Sequence, residues 1–368
     1  MTENETQFEP DWLSPPGDTI ADVLEEQGWS QAEFAQRIGY TTKHVNQLIR
    51  GKAPISQETA LRLERVLGST ARFWLQREAE YRETLARRAE QDILGQESGW
   101  LAELPLREMI GFGWVQECGS NSAAQVAECL GFFGVATVAA WRERYIAPLA
   151  AFRASQHFEK EPGAVAAWLR QGERRAATIE CAPFERKAFR QILNELRELT
   201  NEADPAVFVP RLTALCASAG VAVVIEPAPQ GCPVSGAVRW LTPNTALLML
   251  SLRYKSNDQL WFSFFHEAGH LLLHGKRLLF LEMEDQLADE DEAAADAFAR
   301  DFLIPPGKAA QLQQMRSEVA VRQFATQIGV APGIVVGRMQ KEEWLPWTHL
   351  NGLKARYTWG QEQGVSEY

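Results

Sequence analysis

The sequence predicts a mainly α-helical protein with one small β-sheet, divided into two or three domains. Two patterns predict the class, and the chain length predicts the number of domains. Apolar residues recur every three or four positions over most of the chain, which is typical of amphipathic helices. From Ala219 onwards the period changes to short β-branched and alternating runs, which indicates strands. The length of 368 residues is too great for one small domain and fits two or three.

These patterns divide the chain into four regions. We expect an all-α helix-turn-helix domain over residues 1–90, a helical linker or sensor region over 91–210, an α+β domain over 211–340 and a Trp-rich tail over 341–368. The second region carries no chemical motif. Strands of the α+β domain are expected in VAVVIEP, GAVRWL and ALLMLSLRY.

Composition limits both the partners and the compartment. The formal net charge of −11 repels phosphate on average, so any DNA contact requires a local basic surface. Five scattered cysteines without a CxxC pair, together with a polar, acidic N-terminus, predict free thiols in a reducing cytoplasm. No apolar run approaches the roughly 20 residues of a spanning helix, so we expect no membrane partner.

The N-terminal region carries five helical patterns, of which the second and third are spaced as a helix-turn-helix. In SQAEFAQRIGYTTKHVNQLIRGK, the first helix begins with a predicted capping box at Ser30 and Glu33. It ends at Gly39, a residue suited to a left-handed turn, and the next helix begins at a threonine. Ser56 predicts a capping residue for the fourth helix, without the full box.

A basic stretch coincides with this motif. No acidic residue lies between Glu33 and Glu58, and the interval contains Arg37, Lys43, His44, Arg50 and Lys52. Such a stretch is the local basic face that DNA binding requires in an acidic chain. Lysine can contact guanine, and asparagine or glutamine can contact adenine with two hydrogen bonds, so the expected major-groove residues are Thr42, Lys43, Asn46 and Gln47. Gln31 and Arg50 are expected at phosphates.

The stretch from about Leu13 to Arg88 resembles the Cro/CI-type (XRE) family and is similar to the HigA-like antitoxin repressors within it. The resemblance implies operator DNA as a partner and a homodimer bound to paired half-sites. The alternative is a helical protein–protein module whose basic residues are incidental.

A second motif, WFSFFHEAGHLLLHG, places His266, His270 and His274 four residues apart, with Glu267 next to the first. On a helix, residues four apart are about 40° apart in angle and about 6 Å apart along the axis, so His266 and His270 can bind one ion. This HExxH arrangement adds a carboxylate that can take a proton from the attacking water. His274 lies about 12 Å along the axis and about 80° round from His266, so we expect it to pack or to support rather than to ligate.

The third ligand is expected from the following helix, within EDEAAADAFA. Glu292 and Asp296 share one face, and the alanines between them allow a close helix approach. We assign Glu292 as a ligand and Asp296 as the acceptor of a hydrogen bond from a ligating histidine. The acids that precede Glu292 are explained by the helix dipole, because they begin a helix; they are Asp289, Glu290 and Asp291.

HEAGHLLLHG and the AFARDFLIP helix resemble the ImmA/IrrE metallopeptidases, a gluzincin-like zinc endopeptidase family, from about Ala219 to Met339. The family usually has Asn where Asp296 stands, which leaves Glu292 unaffected. The resemblance implies a zincin-like fold, Zn²⁺, and cleavage of a specific protein, often a repressor, with Glu267 as general base. The oxyanion-stabilising group stays open among Tyr254, Tyr357 and His349.

Three functions fit these motifs. The first is a DNA-binding regulator whose zinc domain cleaves a repressor, an antitoxin or its own chain. The second is a HigA-like antitoxin or repressor whose metal domain binds a ligand or a toxin with little peptidase activity. The third is a cytosolic peptidase in which the helix-turn-helix docks a protein. Glu267 favours hydrolysis, because a structural or sensing metal site needs no base beside it.

Overall fold

The structure is a computed structural model that describes residues 14–147, 161–274, 279–283 and 290–359, with the backbone alone described in 279–283. The described chain divides into two compact units. The N-terminal unit comprises residues up to Ser98 together with Asn121–Ala124, and the larger unit comprises Gly99–Ser120 and the chain from Gln125 onwards. The predicted class, mainly helical with a small sheet, is confirmed.

The N-terminal unit contains the five predicted helices, which are α1 (Pro16–Gln27), α2 (Gln31–Ile38), α3 (Thr42–Ile49), α4 (Gln57–Leu67) and α5 (Ala71–Gln96). Each helix contributes one almost completely buried side chain to a common core. These side chains are Ile20, Phe34, Val45, Leu63 and Trp74. The apolar spacing of three and four therefore marked the buried faces correctly.

Local capping interactions explain where these helices begin and end. The Ser30 hydroxyl accepts from the Glu33 N–H at 3.2 Å, but the Glu33 carboxylate accepts from Arg37 at 2.7 Å. The serine half of the predicted capping box is thus formed, and the glutamate makes an i,i+4 ion pair instead. Gly39 is left-handed with φ of 75°, and Ser56 caps α4, both as predicted.

Within the described residues, the α-helices of the larger unit, in chain order, are α6 (Leu106–Gly111), α7 (Ser122–Phe133, mostly within this unit), α8 (Val138–Trp141), α9 (Pro162–Ala176), α10 (Arg186–Leu199), α11 (Pro205–Ser218), α12 (Asn257–Leu273), α13 (Glu290–Leu303), α14 (Pro306–Ala309), α15 (Glu318–Ile328) and α16 (Pro332–Lys341). All five cysteines lie in the described ranges and are free thiols, as expected.

A four-stranded mixed sheet lies among these helices. Its strands are β1 (Val221–Ile225), β2 (Val234–Thr242), β3 (Thr245–Leu250) and β4 (Leu279–Met283), in the order β1-β3-β2-β4. The β1–β3 pair is parallel, and β2 is antiparallel to β3 and β4. The three predicted strands are confirmed, whereas β4 was not predicted.

Helices cover both faces of the sheet. Successive side chains of β3 point to opposite faces, and each set packs against a different helix. Leu248 and Leu250 join the core that includes Phe264 of α12. On the opposite face, a Cβ at Gly172 of α9 would lie 2.0 Å from the sulfur of Met249. The period of two thus places α12 on one face and α9 on the other.

By length and composition alone, one run in the described chain, Ser122–Ile146, could cross a membrane. The expectation that no run approaches this length is wrong by that measure. The run is interrupted at Gly134, whose φ is 67°. Its Phe133 and Trp141 are buried, with ring centroids 6.2 and 5.2 Å from Trp100. A second candidate span exists only if α15 and α16, which are bent by 111°, are counted as one.

The end of the described chain is anchored to the start of α12. The Tyr357 N–H donates to the Lys255 carbonyl at 2.9 Å, and Ser256 forms an isolated antiparallel bridge with Arg356. Beside them, the buried side chains of Lys354 and Asp258 form an ion pair of 2.6 Å. We call residues 354–357 the C-terminal strap.

Helix α16 approaches the same first turn of α12 through two glycines. A Cβ on Gly333 would lie 2.5 Å from Asn257 Oδ1, and a Cβ on Gly337 would lie 2.5 Å from Asp258 Oδ2. A side chain at either position would force Asn257 or Asp258 to move, so this packing favours glycine at both. The strap and α16 together fix the beginning of the helix that carries the HExxH motif.

Candidate metal centre and nucleic-acid interface

Helix α12 buries the HExxH motif inside the larger unit. His266, Glu267 and His270 are at most 2% exposed. Apolar neighbours on the same helix, Trp261 and Phe264, hold it against the sheet and the other helices. At its end, the Arg186 guanidinium of α10 donates to the Leu272 carbonyl, which satisfies one of the last carbonyls of the helix.

Small residues let α13 lie directly against the motif. A Cβ on Gly269 would lie 3.2 Å from the Ala295 Cα, and Ala295 is fully buried. The predicted role of small residues in a close approach is confirmed, and Gly269 inside the motif contributes to it. The approach brings the Glu292 and Asp296 side chains to the histidines.

Three candidate ligands come together across the two helices: His266, His270 and Glu292. The Nε2 atoms of the two histidines are 3.0 Å apart. Glu292 Oε2 lies 3.1 Å from His266 Nε2, and the other carboxylate oxygen, Oε1, lies 3.4 Å from His270 Nε2. The three side chains therefore converge closely enough for each to offer one atom to the same ion, and we call them the ligand triangle.

This triangle fits a metal ion. With zinc–ligand distances of about 2.0–2.1 Å, two ligands of a tetrahedral ion are about 3.3 Å apart. The separations of 3.0 to 3.4 Å between these side chains are close to that value. The proton arrangement agrees. Asp296 Oδ1 is 2.8 Å from His266 Nδ1, and a carboxylate can only accept, so this nitrogen carries the proton. With the proton on Nδ1, a neutral His266 has its Nε2 lone pair available to bind a metal ion.

The ionisation state of Glu292 also favours metal binding. Burial raises its pKa, but the adjacent imidazoles of His266 and His270 lower it by more, and the pKa falls to about 2. The carboxylate is consequently ionised at neutral pH, which is the form that binds a metal.

The supporting residues differ from the sequence expectation in one respect. His274 lies beyond the end of α12, outside the triangle, and its Nδ1 is 3.0 Å from His270 Nδ1. Its Nε2 is 3.5 Å from Asp291, which sequence reasoning had treated as an acid at a helix start. The sequence signal for Asp291 was its place directly before the candidate ligand Glu292. A solvated acid at a helix start has the same sequence pattern.

The residues considered for oxyanion stabilisation have other surroundings. Tyr357 is buried against Phe208, and burial raises its pKa to about 12. His349 is exposed beside the Thr348 hydroxyl, at 3.2 Å. The guanidinium of Arg253 lies over the Tyr254 ring. None of these contacts assigns the role.

The expected DNA-contacting residues lie on α3 and the adjoining start of α2. Thr42, Lys43 and Arg50 are exposed, and Asn46 and Gln47 are half-buried at the edge of α3. Thr41 caps α3 by accepting from the His44 N–H, which leaves Thr42 in the first helical turn.

The two predicted classes of contact meet on this surface. The Asn46 amide donates to the Gln31 Oε1 at 3.4 Å, so a residue expected at a base lies beside one expected at a phosphate. Lys43, Arg50 and Lys52 are exposed around them. The surface thus has the polar centre and cationic margin of a DNA-contacting helix.

Comparison with known families identifies both regions. A helix-turn-helix family model matches residues 20–74. A peptidase M78 model, described as the IrrE N-terminal-like domain, matches residues 216–340. The chain therefore carries an XRE-type helix-turn-helix domain and an IrrE/ImmA-like domain of the M78 peptidase family, as the two resemblances predicted.

Relatives of the N-terminal region cover only a small part of the chain. An uncharacterized HTH-type transcriptional regulator of Escherichia coli (strain K12), YddM, is 37% identical over 60 residues, which are 16% of this chain and 64% of that protein. The match thus spans less than two thirds of the curated relative.

Two solved structures are similar over a comparable portion. An addiction module antidote protein of the HigA family from Coxiella burnetii is 28% identical, with a TM-score of 0.21, over 22% of this chain and 90% of the other. A Pseudomonas aeruginosa protein solved in complex with its operator DNA is 31% identical, with a TM-score of 0.20, over 21% and 87% of the two chains.

Proposed function

We propose that this chain, which carries a helix-turn-helix domain and an IrrE/ImmA-like domain, is a DNA-binding transcriptional regulator with a built-in zinc-dependent endopeptidase. It would act in the cytoplasm on one regulatory protein, either a repressor, an antitoxin or its own chain. The observation that carries the proposal is the triangle of His266, His270 and Glu292 with Glu267 buried beside it on α12.

The donor set favours Zn²⁺. Two imidazoles and one carboxylate, with a fourth position left for water, make up a common catalytic zinc site. A bound zinc ion supplies a Lewis acid that polarises the scissile carbonyl and makes water acidic enough to react near neutral pH.

The chain's own residues supply the remaining steps. His266, His270 and Glu292 hold the ion, and Asp296 keeps the His266 proton on Nδ1 so that Nε2 faces the centre. Glu267 accepts a proton from the attacking water and delivers it to the leaving amine. The apolar surroundings of α12 restrict bulk water and strengthen the electrostatic interactions within the site.

The N-terminal unit would direct the protein to its operator. Helix α3 would enter the major groove with Thr42, Lys43, Asn46 and Gln47, while Gln31 and Arg50 contact phosphates. Operators with paired half-sites imply a homodimer. In this arrangement, DNA binding selects the gene and proteolysis changes its regulation.

Cleavage can be tested in the full-length protein. Zn²⁺-loaded wild type and Glu267→Gln would be incubated alone and with repressors and antitoxins encoded beside its gene, and products would be identified by mass spectrometry. Wild type should cut one protein at one bond, and Glu267→Gln should retain zinc but lose at least about 100-fold in rate. Glu318→Gln, the same change at an exposed position on α15, is the matched control.

Two outcomes would contradict the peptidase. One is equal cleavage by wild type and Glu267→Gln. The other is promoter control that survives Glu267→Gln but is lost on substitution of Lys43 and Gln47. The second outcome would leave an antitoxin or repressor whose metal domain binds a ligand or a toxin.

A further inference from the structure

The two histidines of the metal centre are supported in different ways. His266 donates to Asp296, whose side chain is 58% exposed. His270 instead faces His274, whose side chain is 8% exposed and lies near Asp291. We propose that His274 and Asp291 act together as positioning residues that fix the tautomer and ring orientation of His270. This inference rests on the metal centre of the proposed function.

The end of α12 places His274 for this role. The helix ends at Leu273, and His274 is its C-cap, with φ of −105° and an N–H that donates to the His270 carbonyl at 3.1 Å. The two imidazole rings have centroids 5.1 Å apart and planes inclined at 55°. His274 thus stays one turn from His270 but outside the ligand triangle.

The positions of the ring nitrogens define the required protons. His270 Nε2 belongs to the triangle, so it must keep its lone pair for the metal, and the proton of a neutral ring is then on Nδ1. His274 Nδ1 lies at hydrogen-bond distance from that nitrogen, at 3.0 Å. His274 must therefore accept through Nδ1 and carry its own proton on Nε2.

Asp291 favours that tautomer of His274. Its Oδ1 lies 3.5 Å from His274 Nε2, which is longer than a normal hydrogen bond, so its effect is mainly electrostatic. A negative charge beside Nε2 stabilises the N–H dipole there, so that Nδ1 is unprotonated and can accept from His270. The low exposure of His274 strengthens both interactions, because water competes less for them.

One turn of α13 provides a ligand and a supporting charge. Asp291 and Glu292 are consecutive, and they reach His274 and the ligand triangle respectively. The docking of α13 on Gly269 therefore sets both contacts at once. In this arrangement, His274 extends the site along α12 without binding the ion.

Metal affinity tests the inference separately from peptidase activity. Full-length protein would be stripped of metal and titrated with Zn²⁺ against a chromophoric chelator. His274→Leu keeps the bulk but removes the acceptor, whereas His274→Asn keeps an oxygen at the position of Nδ1. We expect about 10- to 100-fold weaker Zn²⁺ binding for His274→Leu and recovery to within about threefold of wild type for His274→Asn.

Two further variants and one spectroscopic measurement test whether the effect is local to His270. Asp291→Ala, at a partly exposed position, should weaken Zn²⁺ binding in the same direction but less than His274→Leu. Glu290→Ala, an exposed position on the same helix, should leave binding unchanged. In the Co²⁺-loaded proteins, the visible absorption should change for His274→Leu and return towards wild type for His274→Asn.

The outcomes separate this inference from the function on which it rests. Wild-type affinity in His274→Leu, or equal losses in the Leu and Asn variants, would overturn the positioning role and leave the metal centre standing. Failure of the wild type to bind Zn²⁺ would remove the metal centre and the inference together. Tight Zn²⁺ binding with the expected variant series, but no proteolysis, would support the positioning role and count against the peptidase alone.

Discussion

The candidate metal centre and the candidate DNA surface are built in opposite ways. The metal centre joins two helices, and its histidines and Glu267 are almost completely buried. The DNA surface occupies residues 31–50, and most of its side chains reach solvent. Substitutions at the metal helix should therefore alter folding and binding together, whereas those on the DNA surface should alter binding alone.

The largest difference is expected between two ion pairs. Lys354→Met breaks the buried pair with Asp258 at the start of α12 and should lower the free energy of unfolding of the larger unit by about 3–5 kcal/mol, because it leaves an unpaired buried charge. Arg37→Met breaks the exposed pair with Glu33 on α2 and should cost at most about 1 kcal/mol. Denaturant unfolding, followed with probes in each unit, measures both. Equal losses of unfolding free energy in the two variants would contradict the expected difference between a buried and an exposed ion pair.

The second-largest difference is expected in zinc binding. Glu292→Gln removes an ionised carboxylate from the candidate ligand set and should weaken Zn²⁺ binding by at least about 100-fold. With Zn²⁺ at 100 times its Kd, the wild type should gain about 2.7 kcal/mol of stability, and the variant should gain much less. Calorimetry with and without Zn²⁺ checks this result. Glu290→Gln, an exposed position on α13, should behave as wild type, and the ligand assignment is wrong if Glu292→Gln does too.

The parts of the molecule that the sequence predicted well depend on short-range patterns. Ser30, Gly39 and Ser56 act within one or two turns, so the helix ends of the N-terminal unit could be anticipated. The three predicted strands were marked by β-branched and alternating residues. The exception was Glu33, because the reciprocal cap and the ion pair with Arg37 use the same carboxylate.

Long-range contacts could not be predicted in the same way. The pairing of Lys354 with Asp258 joins positions far apart in the chain, and neither residue belongs to a motif. Strand β4 owes its place to pairing with β2. Glu292 was anticipated because helical spacing and the family resemblance both pointed to it. Asp291, its neighbour, could not be separated from an ordinary acid at a helix start.

The smallest effects are expected on the DNA surface. Asn46→Ala should weaken operator binding by about 1–3 kcal/mol, with the loss confined to the specific sequence. Arg50→Gln should weaken binding to all DNA sequences. The slope of log K against log salt concentration should fall by about 1, which corresponds to one phosphate contact. Fluorescence anisotropy at several salt concentrations distinguishes the two. Arg72→Gln, an equal charge change on exposed α5, is the control. A fall in melting temperature that accompanies the loss of affinity would show that these residues support the fold.

The C-terminal strap has a consequence for the order of events during synthesis. Helix α12 cannot receive Lys354 against Asp258 until the ribosome has made residue 354, whereas the N-terminal unit is complete by Ala124. At about 5–20 residues per second, tens of seconds separate the two. A nascent chain can therefore fold its DNA-binding helices well before its HExxH helix is secured. Under the proposed function, DNA recognition would therefore become possible before proteolysis.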